Sequence, residues 1–157
     1  MIILLTPGDF EALAEGVAPS GLRLVEDSVI APQEVLRMLS DLNRAIAADF
    51  SPSAWMIVAN EEIVGLCSVI RPPGNGELHI GYGVAPSREG RGIATAAVGD
   101  LLDWARSDRR VRRISAETAV DNVASQRVLE RNGFAQAGQR TDPEDGPLIC
   151  WEIATLQ

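Results

Sequence analysis

The chain has 157 residues, 46% of them hydrophobic and 23% charged. That is enough to bury a core without metals or disulfides, and residues 1–157 read as one domain. A net charge of −8 argues against nucleic acid as a partner and suits a cationic one such as an amine. No apolar run reaches the roughly 18 residues of a membrane span. The opening Met1–Asp9 lacks the basic start and long apolar stretch of a signal peptide, so a cytoplasmic location is expected.

The apolar segment Ile2–Leu5 reads as a first strand. Ala31–Ala48 reads as a helix, because Val35, Leu36, Met38, Leu39, Leu42, Ile46 and Ala47 recur at three- and four-residue spacing. Pro32 suits its first turn. Trp55–Ala59 and Ile63–Ile70, split by Asn60-Glu61-Glu62, read as a hairpin. A turn cluster from Arg71 to Gly76 hands over to Glu77–Val84, which alternates cleanly. Leu78, Ile80, Tyr82 and Val84 share one face; Glu77, His79, Gly81 and Gly83 share the other. A β-bulge is plausible at Gly81 or Gly83.

A glycine-rich loop and a helix from about Gly92 to Arg106 follow, with an apolar stripe of Ile93, Ala97, Leu101, Trp104 and Ala105. The run Arg106, Arg109, Arg110, Arg112 and Arg113 reads as charge complementing that helix's C-terminal dipole. Arg112–Thr118 is a further strand, and Asn122–Asn132 a short helix closed by Gly133. Phe134–Gln139 and Leu148–Ala154 form a last pair of strands. This order predicts a mixed α/β fold, a central mixed sheet covered by helices. An exposed edge strand leaves room for a homodimer.

All 14 basic residues are arginines, so no lysine is offered for self-acylation. Cys67 and Cys150 lie in apolar segments and are expected to be buried small hydrophobes. Neither belongs to a CxxC pair, and no metal site is expected.

The stretch Val84-Ala85-Pro86-Ser87-Arg88-Glu89-Gly90-Arg91-Gly92-Ile93-Ala94-Thr95 is a strand end, a glycine-rich turn and a helix start. It is either a plain turn or a cradle in which backbone N–H groups meet a phosphate. No Gly-Lys-Ser/Thr occurs, which excludes a Walker loop. No early G-x-G-x-x-G unit suggests a dinucleotide fold.

The segment Glu89-Gly90-Arg91-Gly92-Ile93-Ala94 resembles the acetyl-CoA motif Q/R-x-x-G-x-G/A of the GNAT N-acetyltransferases, with Glu89 in place of Gln or Arg. A second block, Asn122 to Phe134, resembles that family's N-x-x-(A/S)-x-x-x-(Y/L)-x-x-x-G-F pattern, with Asn122, Ser125 and Gly133-Phe134 correctly spaced. The resemblance covers about Glu77 to Phe134 and leans toward the branch containing ribosomal-protein N-terminal acetyltransferases. It implies a mostly antiparallel sheet flanked by helices, with acetyl-CoA as donor. It implies cofactor contacts from Val84, Gly90, Arg91, Gly92, Ile93, Ala94, Thr95, Asn122 and Ser125.

Moving an acetyl group from a thioester to an amine requires a deprotonated amine, donors for the oxyanion and stabilisation of the leaving thiolate. Glu77 and His79, the single histidine, are the candidate bases, acting directly or through water. The position that carries a tyrosine acid in many relatives is Leu129. The resemblance therefore points to Ser125 at the thiol, or to direct attack without a strong acid. The expected activity is transfer to a primary amine in a ternary complex. A non-catalytic acyl-CoA sensor is the alternative. The acceptor is open: a protein N-terminus, a metabolite amine, a polyamine or an aminoglycoside.

Overall fold

The computed structural model describes residues 1–155. The elements run β1 (Ile2–Leu4), α1 (Pro7–Ala14), β2 (Arg23–Leu24), α2 (Gln33–Ala47), β3 (Ala54–Ala59), β4 (Glu62–Val69) and β5 (Glu77–Val84). A single 3₁₀ turn, Pro86–Arg88, precedes α3 (Ile93–Ser107), β6 (Arg113–Ala119), α4 (Val123–Arg131), β7 (Ala135–Asp142) and β8 (Gly146–Ala154). The strands form one mixed sheet in the order β1-β3-β4-β5-β6-β8-β7, with β2 beside β4. Only β2/β4 and β5/β6 are parallel. The fold is thus mixed α/β, a mostly antiparallel sheet flanked by helices. Among the described residues no helix is long and apolar enough to cross a membrane.

Two elements escape the sequence pattern. Pro7-Gly8 looks like a break, but Thr6 caps a helix there by accepting from the Asp9 N–H at 3.1 Å, and Pro7 takes the first turn. β2 is two residues long and exists only through its parallel register with Glu62 and Ile63. In α2, Met38 of the expected stripe is 60% exposed. Ser40 and Asn43 are buried instead, and Asn43 Nδ2 donates to Ser53 Oγ at 2.7 Å.

Alternation builds the core on both faces. Ala54, Met56 and Val58 of β3 pack with Leu36 of α2 and Phe10 and Leu13 of α1. On the opposite face, Leu78 and Ile80 of β5 and Ile114 and Ala116 of β6 pack with Val98, Leu101 and Ala105 of α3 and Leu129 of α4. The arginine run does not gather at the α3 terminus. Only Arg106 lies in its last turn. Arg110 bonds Asp108 and stacks over Phe50 at 4.2 Å, and Arg113 belongs to β6. Cys67 is buried, as expected, whereas Cys150 is half-buried.

The β4/β5 register is continuous through Gly81 and Gly83, so the expected bulge is not there. The close approach falls on Gly65: a Cβ there would lie 2.2 Å from the Gly83 carbonyl oxygen. Backbone cannot yield as a side-chain tip does. Gly65→Ala is therefore expected to destabilise the fold by about 2 kcal/mol, read as a lowered thermal midpoint.

The parallel ladder between β5 and β6 pairs Glu77 with Arg113 through Ile80 with Ala116, and stops. β5 continues to Val84 and β6 to Ala119 without facing each other. The two strands part, and the sheet is split from that point.

Candidate active site

A cleft of about 430 Å³ opens where the strands part. Tyr82, Gly83 and Val84 of β5 form one wall, the glycine turn and start of α3 the floor, and α4 the other wall. Gly90 and Gly92 have φ of 75° and 74°, and a Cβ on either would meet nothing within 4 Å. Conformation, not crowding, calls for glycine at both. Gly92 is the N-cap of α3, and its carbonyl accepts from Ala96. The N–H groups of Ile93, Ala94 and Thr95 are left without helical partners at the positive end of a 15-residue helix. This is a seat for a diphosphate.

Of the residues expected at the cofactor, Val84, Gly90, Gly92, Ile93, Ala94, Thr95, Asn122 and Ser125 line this cleft. Arg91 does not; it is exposed and outside the lining. Arg127 and Arg131, one turn apart on α4, line it instead. They make no ion pair among the described residues, and Glu89 lines the same cleft. Sequence spacing held the clue, since both fall on the α4 face of Ala124 and Val128. Arg88 is committed elsewhere, donating from Nε to Glu62 at 2.8 Å and from Nη1 to Asp27 at 3.1 Å.

Asn122 acts as the expected cap: its Oδ1 accepts from the Ser125 N–H at 3.1 Å. Leu129 is fully buried in the core.

The two base candidates lie apart from this cleft. Glu77 opens β5, five residues before Tyr82, and its carboxylate sits 3.4 Å from Arg113. At roughly 3.3 Å per residue that is about 16 Å along the strand. Neither Glu77 nor His79 is part of the cleft lining. His79 projects from the other face of the sheet and is 6% exposed. Its Nδ1 is 2.8 Å from Ser115 Oγ, and its Nε2 is 2.8 Å from Arg71 Nη2. A guanidinium can only donate, so Nε2 is the acceptor and Nδ1 carries the proton. Burial lowers the His79 pKa and Arg71 lowers it further, against the pull of Glu117. The ring is neutral at pH 7 with its lone pair covered.

Glu117 is the residue the sequence reading missed. It follows Ala116 on β6, the first position past the split, and points to the His79 side. Its carboxylate is 13% exposed and lies 3.4 Å from His79 Nε2. Arg71 donates to it at 3.0 Å, Arg140 Nη2 at 2.9 Å, and the Arg140 Nε also pairs with it. Hydrogen bonds from Arg140 outweigh desolvation and hold its pKa at about 2. Cys150 Sγ is 3.6 Å away. The structure therefore has a cleft on one face of the split and a charged His-Glu-Arg cluster on the other.

A family match agrees with this geometry. Residues 1–135 match the GNAT acetyltransferase domain. The chain belongs to the GNAT acetyltransferase family. Its members are acyl-CoA-dependent N-acetyltransferases. The putative ribosomal N-acetyltransferase YdaF of Bacillus subtilis (strain 168) is 30% identical over 148 residues, covering 90% of this chain and 80% of YdaF. The uncharacterised N-acetyltransferase YjdG of the same strain is 38% identical over 84 residues, covering 52% of this chain. That match spans half, 50%, of the YjdG length. Among solved structures, AAC(6')-Ib in complex with ribostamycin and coenzyme A superposes with a TM-score of 0.68 over 98% of this chain and 92% of that one, at 21% identity. That likeness is one of fold.

Two tests follow from the cleft and the cluster. Replacing Arg127 and Arg131 together by alanine should weaken acetyl-CoA binding about tenfold and flatten its salt dependence, measured by calorimetry at two ionic strengths. A depressed carboxylate pKa stabilises the fold above the ordinary carboxylate range and loses that contribution as pH falls from about 4.5 to about 2. Melts across that window should show the wild-type midpoint falling. Glu117→Gln should start lower at pH 7 and vary less.

Proposed function

We propose that this protein moves an acetyl group from acetyl-CoA to a primary amine by direct attack in a ternary complex. The observation that carries this reading is the parting of β5 and β6 after Ile80 and Ala116, beside a helix N-terminus preceded by Gly90 and Gly92. A thioester seated along β5 reaches the split from the α3/α4 side. Main-chain groups of Gly81–Val84 have no partner on β6 and can bond an extended pantetheine arm. An amine reaches the same carbonyl from the His79 side.

The cluster on that side supports an amine acceptor. Arg71 Nη2 bridges His79 Nε2 at 2.8 Å and Glu117 Oε1 at 3.0 Å. An ammonium nitrogen would satisfy the same two groups. Arg71 is 54% exposed and free to swing away. Its departure uncovers the imidazole lone pair for the amine proton, so His79 takes the base role and Glu117 attracts the cation. Glu77, tied to Arg113 and remote from the split, takes no part. Ser125 serves the leaving sulfur. The net charge of −8 favours a cationic acceptor.

The covered His79 lone pair and the low pKa of Glu117 also fit a second reading, an acyl-CoA sensor without turnover. Calorimetry with acetyl-CoA, combined with thiol release on spermidine, ribostamycin and a peptide with a free N-terminal serine, separates the two. Binding with release is the expected result. Binding without release would favour the sensor, and no binding would remove both. With the best acceptor, His79→Gln should lower kcat at least about tenfold and Glu117→Gln should chiefly raise the acceptor KM.

A further inference from the structure

Two hydroxyls meet across the donor cleft, and their role rests on the reading of Ser125 as the group at the leaving sulfur. Ser125 lies in the first turn of α4, and its backbone is fixed by the Asn122 cap. Its Oγ is 2.9 Å from Tyr82 Oη, which lies 3.1 Å from the Ser125 carbonyl oxygen as well. Tyr82 is the single tyrosine of the chain. It stands on β5 two residues past the last β5/β6 pair, with its ring packed against the core cluster under α3 and α4. Both residues line the cleft.

Burial pushes the Tyr82 phenol up to about 12, so it keeps its proton throughout the neutral range. A permanently protonated phenol is a fixed donor, and both acceptors within its reach belong to Ser125. The one phenolic proton goes either to the Ser125 carbonyl or to Oγ, and in the second arrangement the serine's own proton is left free for the cleft. Leu129, one turn further along α4, is fully buried and has no polar group to offer.

We propose that Tyr82 is a positioning residue that orients the Ser125 hydroxyl as a hydrogen-bond donor to the sulfur leaving from acetyl-CoA. The amine nitrogen attacks the thioester carbon and the C–N bond forms. The C–S bond then breaks, and its electron pair goes to sulfur. Ser125 Oγ–H donates to that sulfur as the charge appears. The proton that completes the free thiol is the one the amine nitrogen sheds, so neither hydroxyl is consumed.

Tyr82→Phe keeps the ring and its packing and removes only the hydroxyl. Thiol release from acetyl-CoA is measured with spermidine, and with water as sole acceptor, for Tyr82→Phe, Ser125→Ala and the double variant. Each single change should lower kcat about fivefold to tenfold while the acetyl-CoA KM stays within about twofold. The double variant should be no worse than the worse single one, because the two act as a unit. Wild-type kcat in Tyr82→Phe, losses that multiply in the double variant, or a change confined to KM would overturn the proposal while leaving an impaired Ser125→Ala to support the Ser125 reading. Wild-type kcat in Ser125→Ala would overturn that reading and the proposal with it, as would the absence of enzyme-dependent thiol release with either acceptor.

Discussion

The arrangement depends on one constraint: two parallel strands that hydrogen-bond over four residue pairs and then diverge. From Glu77 to Ile80, β5 is held by β6; beyond Ile80 it is held only by β4. A closed sheet is a wall between two solvent-facing sides. A sheet split partway along is open at its edges, and on the proposed reading donor and acceptor would meet there. The crossover that keeps β5 and β6 parallel is α3, and its N-terminus opens at the end of β5. Phosphate cradle and split are thereby two consequences of one β-α-β connection.

Placement of charge follows from that geometry. In the cleft, positive character comes from backbone N–H groups at the start of α3 and from Arg127 and Arg131 on α4. Arg88 of the turn is spent on Asp27 and Glu62, which fasten the turn to the segment before α2 and to β4. On the other side, Glu117 holds two arginines and a histidine within reach. A carboxylate so paired is a poor base but a strong anchor for a cation. The neutral, buried His79 next to it has the opposite character. On the proposed reading the pair would divide attraction and proton acceptance between two side chains on adjacent strands.

The site was partly legible because some of its chemistry is local. Gly90, Gly92 and the first turn of α3 are contiguous, and so are Asn122 and Ser125, so loop and cap chemistry could be read directly. Alternation placed His79 and Tyr82 on opposite faces of β5, and the structure keeps them there. Glu117 was not legible, because its importance comes from Arg71, 46 positions away, and Arg140, 23 positions away. Neither Glu77, three residues before the last β5/β6 pair, nor Arg91 lines the cleft, because place in the sequence does not give the direction of a side chain leaving a strand or a turn.

The sequence by itself determined the local elements, the apolar faces and the backbone cradle, since propensity, period and positive-φ glycines act over a few residues. It also determined the family, through two blocks whose spacing is a property of the chain. Only the tertiary structure decided where β5 and β6 part, which carboxylate faces the split, and that Arg71 covers His79. Those outcomes depend on strand order and register, which bring Arg71, Glu117 and Arg140 together across three separate turns of the chain. The same is true of the contact between Tyr82 and Ser125, 43 positions apart. No pattern in either segment marks it, because it arises from how closely α4 packs over the end of β5.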